Sequence, residues 1–168
     1  QLMINLPSTQ YPGQNTFDPQ TDILVGKPFT IEGTGAKTAT INAFKRITAP
    51  FKLQLTGLAP SDKVYAVTFA LSQSAKGEAN GTLIGYEYYN IGANPENFTF
   101  NAMQTSGTRQ NGVSAIYDSG LVAEGGVWPV WFNVWPTEVK ASCNATVTVF
   151  TADSCYVRPA AIPAGNFV

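Results

Sequence analysis

The chain has 168 residues and a mass of 18.0 kDa, enough for one domain that removes roughly 70% of its unfolded surface from water. Hydrophobic residues make up 44% and charged residues only 12%, about half the roughly 25% charged share usual in soluble proteins, and the net charge is -1. No cationic excess exists to displace counterions from a nucleic-acid backbone or to hold an anionic membrane. Histidine is absent, which excludes Ser-His-Asp and Cys-His catalysis, histidine metal sites and a histidine pH switch. The longest uncharged apolar stretch, 125–137, is too short to span a bilayer and holds two prolines.

In chain order, the first element predicted is a strand in which Leu2, Ile4 and Leu6 alternate with Met3 and Asn5. A linker rich in turn residues follows through Asn15. The organisation read from this is an amino-terminal strand and linker over 1–15 and a β domain over 16–168. Strands are then expected over 28–32, 38–44, 51–56, 63–71, 82–89, 97–103, 113–117, 127–135, 145–151 and 156–158. Turn signals separate them, among them Gly33-Thr34-Gly35, Pro60-Ser61-Asp62, Asn94-Pro95, Asn111-Gly112 and Gly125-Gly126. No window carries an amphipathic helix. The fold class expected is all-β: a single antiparallel β-sandwich, immunoglobulin-like or jelly-roll.

Gln1 in place of a methionine reads as a mature chain whose leader has been removed, hence as an exported protein at the cell surface or beyond it. In that compartment Cys143 and Cys155 are expected to form one disulfide. Asn80, Asn97 and Asn144 stand in Asn-X-Ser/Thr sequons and are possible glycosylation sites. Asp18 and Asp22 flank a proline-containing loop but match no calcium-binding spacing, and no metal or cofactor is expected.

The stretch 53–67 resembles the corner between the fifth and sixth strands of fibronectin type III and related immunoglobulin-like domains. The resemblance implies that Leu58 plugs the core, Pro60 begins the turn and Tyr65 hydrogen-bonds back across it. The three tryptophans fall in 127–136. On one strand, Trp131, Asn133 and Trp135 share a face, with the tryptophans roughly 13 Å apart. That face is either a platform for surface glycans or part of the core or a subunit contact.

The terminal strand has two destinations: its own sheet, or the sheet of a neighbouring copy. A short alternating amino-terminal strand on a β-sandwich body with few charges is similar to the subunits of extracellular filaments built by donor-strand exchange, including chaperone-usher pilins and archaeal thread-like pili. The resemblance implies a non-enzymatic subunit of a head-to-tail homopolymer, with Leu2, Ile4 and Leu6 as donor positions and a role in adhesion or cell contact. The alternative is a secreted carbohydrate-binding module using Trp131, Asn133 and Trp135.

Overall fold

The computed structural model describes residues 2–26, 31–40, 44–71, 83–89, 111–139, 144–161 and 165–167. Within them the regular secondary structure is all strand, apart from one 3-10 turn at Pro19–Thr21. The strands are β1 (Leu2–Leu6), β2 (Thr9–Gln10), β3 (Leu24–Gly26), β4 (Phe44–Arg46), β5 (Ala49–Leu55), β6 (Val64–Leu71), β7 (Gly85–Tyr89), β8 (Gly112–Leu121), β9 (Trp128–Val134), β10 (Thr137–Val139), β11 (Asn144–Thr151), β12 (Cys155–Ala161) and β13 (Gly165–Phe167). The predicted strand over 97–103 lies outside the described residues. Of the predicted strands 28–32 and 38–44, residues 31–32 and 38–40 are not strand and 28–30 and 41–43 lie outside the described residues; the strand pair described in that region is β3 with β4. The bidentate Arg46–Asp22 contact, at 2.6 and 2.9 Å, ties its ends.

One wide sheet has the order β12-β11-β6-β8-β2. The central strand β6 reads Val-Tyr-Ala-Val-Thr-Phe-Ala-Leu and buries Val64, Val67, Phe69 and Leu71. Its neighbours bury Val147 and Val149 from β11 and Val113, Ala115 and Tyr117 from β8. Period-two alternation therefore delivers one apolar face to the core. The pairing is antiparallel except at β2, which runs parallel to β8. The expectation of a purely antiparallel sandwich is corrected on that point, and the remaining strands form four two-stranded ladders instead of one second sheet.

The β5–β9 ladder faces the wide sheet. Its register sets Phe51 opposite Phe132 and Leu53 opposite Val130. Phe51 and Phe132 stack with centroids 5.9 Å apart, and Phe69 of β6 meets Phe51 at 5.0 Å and Phe132 at 6.3 Å. Three rings from two layers thus make the centre of the core, in the offset and tilted geometries that aromatic quadrupoles favour.

The connection from β5 to β6 passes from one layer to the other, as the corner resemblance implies. Leu58 packs half-buried against the core. Asp62 closes the turn: its N–H donates to the Ala59 carbonyl at 2.8 Å, and its carboxylate accepts the Ala59 N–H at 3.1 Å. Tyr65 does not bond back across the turn among the described residues. It sits where the β6–β8 register shifts, with its ring edge over Gly120. Gly120 has φ +77°, and a Cβ there would stand 2.8 Å from the Lys63 Cβ, so this position needs glycine on two counts.

The expected Cys143–Cys155 bond is not seen in the structure. Cys155 is an exposed free thiol that pairs with Phe150, while Asn144 pairs with Ala161 at the other end. Six strand residues separate those ends, roughly 20 Å. Cys143 itself lies outside the described residues.

Candidate functional site

The terminal strand takes the first of its two destinations. In the single chain β1 pairs antiparallel with β7, from Leu2 opposite Tyr89 to Leu6 opposite Gly85. Leu6 is wholly buried and Ile4 packs half-buried against the core. Three residues later the chain has changed sheets: β2 sets Thr9 beside Ser114 and Gln10 beside Ala115 of β8. The crossing consists of Pro7 and Ser8 alone, with the bend at Ser8.

From Ser8 onward the segment is fastened to the body. The Ser114 N–H donates to the Ser8 carbonyl at 2.8 Å. Gln10 is fully buried, and its amide faces the main chain of Asn133, 123 positions away: Oε1 accepts the Asn133 N–H at 2.8 Å, and Nε2 donates to the Asn133 carbonyl at 2.6 Å. A side-chain amide here takes the place of a paired strand. Asp18 then accepts the N–H groups of Tyr11 and Gln20, both at 2.9 Å, and caps the 3-10 turn. Gln14 donates to the Gly120 carbonyl at 3.3 Å. With Asp18 engaged in this way and Asp22 held by Arg46, the two aspartates serve the fold of their loop.

The same contacts seal the edge of β9 that β5 leaves open. Trp131, Asn133 and Trp135 point their main-chain donors to one side, and each is met differently. The Trp131 N–H donates to the Tyr117 hydroxyl at 3.3 Å, the Asn133 N–H to Gln10, and the Trp135 N–H to the Leu83 carbonyl at 2.8 Å. No outside strand can add there while these partners stand.

The glycan platform, the alternative reading of Trp131, Asn133 and Trp135, is not formed in the single chain. Trp135 is 2% exposed, with its indole N–H on the Gly85 carbonyl at 3.0 Å. Asn133 is 0% exposed, and its Nδ2 donates to Thr21 Oγ1 at 3.1 Å, so the 3-10 turn lies over that face of β9. Only Trp131 remains half-exposed, beneath Lys52 Nζ at 5.1 Å from its ring centroid. The parity read from sequence holds, but the shared face is covered.

Of the sequons, Asn144 is exposed at the start of β11, and Asn80 and Asn97 lie outside the described residues. Sequence reasoning missed Gln10 and Tyr117. A lone glutamine in a Ser-Thr-Gln linker carries no periodic signal, and its partner is main chain that no residue pattern reveals.

Burial pushes the Tyr117 hydroxyl up to about 12, against the opposing effect of the Trp131 N–H that it accepts. The folded state therefore keeps a proton that the unfolded chain gives up near pH 10. Stability from this group is complete below about pH 10 and is lost as pH rises toward about 12. Between about pH 5 and 8 stability is expected to be nearly flat, because no histidine titrates there. Urea unfolding at stepped alkaline pH measures the fall. Tyr117→Phe should remove that fall while costing about 1–3 kcal/mol at neutral pH, since the Trp131 N–H loses its acceptor.

Among the described residues no helix is long and apolar enough to cross a membrane. No family model, curated protein or solved structure matches the chain.

Proposed function

We propose that this protein is a non-enzymatic subunit of an extracellular filament, in which β1 of one copy completes the β7 edge of the next. The observation that carries the reading is the division of the chain at Pro7. Before it stands a five-residue strand held by one ladder and by Leu6 and Ile4; just after it, Ser8 is bonded to Ser114 and Gln10 to Asn133 of the body. Withdrawing β1 leaves β7 with an unpaired edge and a site shaped for Leu6, which a second copy's β1 fills with the same contacts. Full burial of such a side chain contributes roughly 1.5–3 kcal/mol, and the main-chain ladder fixes register.

The other edges support this polarity. β9 is sealed by the Tyr117 and Gln10 side chains and the Leu83 carbonyl, and the edge strand β12 carries Pro159 and Arg158, a missing donor and a charge of the kind that discourages strand addition. Strand donation from one end of a subunit to the β7 edge of another is heterologous, so it propagates as an open fibre. A surface filament of lightly charged subunits suits adhesion or cell contact.

Electron microscopy of full-length protein and of protein lacking residues 1–6 tests the reading. Gln10 must be kept, because its removal damages the core. Fibres are expected from the full chain, and single particles from the truncated body, which should bind a synthetic peptide of residues 1–7 saturably. Fibres of equal length from the truncated protein would overturn the proposal.

A further inference from the structure

We infer that the Pro7–Ser8 crossing is a hinge that sets whether β1 closes on its own body or on a neighbour's, with Ser8 and Gln10 as its fixed side. This rests on the strand-exchange reading above.

In the closed chain and in the exchanged filament β1 makes the same contacts: the ladder from Leu2 opposite Tyr89 to Leu6 opposite Gly85, and the burial of Leu6. Those contributions cancel in the balance between the two states. What remains is the connection and the concentration. A strand on a relaxed tether meets its own acceptor at an effective concentration in the millimolar range, so at ten micromolar protein closure wins by roughly a hundredfold. A subunit that exchanges needs a connection that penalises closure.

Pro7 and Ser8 have the features such a connection requires. Two residues carry the chain from antiparallel pairing on β7 to parallel pairing on β8. Proline fixes its own φ near -65° and restricts Leu6 before it to extended backbone, so few torsions are left to shape the crossing. Neither end has slack. On one side Leu6 is buried and paired with Gly85. On the other, the Ser8 carbonyl accepts the Ser114 N–H at 2.8 Å, and the Gln10 amide grips Asn133 through two bonds at 2.6 and 2.8 Å. Short constrained hinges favour exchange over closure, and lengthening them restores the closed form. The exchanged unit is accordingly residues 1–6.

Hinge length also acts through the pleat. Removing Pro7 in a closed chain either turns Leu6 and Ile4 to the opposite face of the strand or pulls Ser8 off Ser114, because side chains alternate with a period of two. Between two bodies no such conflict arises, since the bodies reorient.

The test places cysteines at the opposed positions Met3 and Tyr88, in a chain also carrying Cys143→Ser and Cys155→Ser, and compares three hinges: native, Pro7 deleted, and Gly-Ser-Gly-Ser inserted after Pro7. After refolding at matched concentration and oxidation, non-reducing electrophoresis separates bonds within a chain from ladders of linked chains. The inserted hinge is expected to lower the ratio of linked chains to closed monomers about tenfold or more, and the deletion to raise it. Equal ratios for the native and inserted hinges, with ladders present, overturn the hinge inference and leave strand exchange standing. Closed monomers at every concentration, with no ladder from any hinge, overturn both. The native and inserted pair decides the matter even where the deletion variant fails to fold.

Discussion

Phe69→Ala is expected to destabilise the folded chain by about 3–5 kcal/mol, the range for removing a buried aromatic side chain from a packed core. Phe69 is 0% exposed and is the ring that the wide sheet contributes to the contact with Phe51 and Phe132. Its loss takes away transfer free energy and leaves a cavity between two layers that the β-ladders hold apart. Phe51→Ala should cost less, because Phe51 is only half-buried. The two losses should fall short of additivity, since the rings touch. Urea unfolding of both single variants and the double variant measures this. A cost for Phe69→Ala below that for Phe51→Ala would mean that the layers do not meet where the rings place them.

The strands that could be read from sequence are those whose partners also alternate. The expected 51–56, 63–71, 127–135 and 145–151 correspond to β5, β6, β9 and β11 within one or two residues at each end. Each carries alternating apolar positions toward the core or, in β9, buried residues on both faces. The strands that escaped notice are short and depend on remote groups. β2 is two residues beside β8, and β3 and β4 have three residues each beside the Asp22–Arg46 pair. Such elements exist because something distant meets them, which no local period records.

The tryptophan segment shows the same limit at the site. Alternation assigns Trp131, Asn133 and Trp135 to one face correctly, because parity is a property of the strand alone. Whether that face is open depends on what lies over it, and Thr21, Gly85 and Gln10 come from distant parts of the chain. Asn133 between tryptophans looks like a hydrogen-bonding group for a sugar; its amide instead donates to Thr21 inside the protein. The terminal strand was legible for the opposite reason: its alternation and the proline that ends it are both local. Its choice of acceptor was not, because its own β7 edge and a neighbour's are chemically the same.

Gln10→Ala is expected to destabilise the chain by about 2–5 kcal/mol. The substitution removes both hydrogen bonds to Asn133, and a longer one to the Pro7 carbonyl at 3.5 Å, and leaves the N–H and carbonyl of Asn133 buried without those partners, each at a desolvation cost of about 1–3 kcal/mol. It also empties the volume of a fully buried side chain. Gln10→Glu separates the two bonds: a carboxylate still accepts the Asn133 N–H but sets an oxygen against the Asn133 carbonyl, so it should cost as much as alanine or more despite its matching shape. Gln10→Met, which keeps the bulk and loses both bonds, isolates hydrogen bonding from packing. Amide hydrogen exchange at Asn133 gives a local readout. Its protection should fall in Gln10→Ala and Gln10→Met toward the level set by local opening, and should stay at the level of global unfolding in the native chain. Unchanged protection at Asn133 in Gln10→Ala, together with a stability loss under about 0.5 kcal/mol, the size of an ordinary surface substitution, would show that the amide is not what closes the edge of β9.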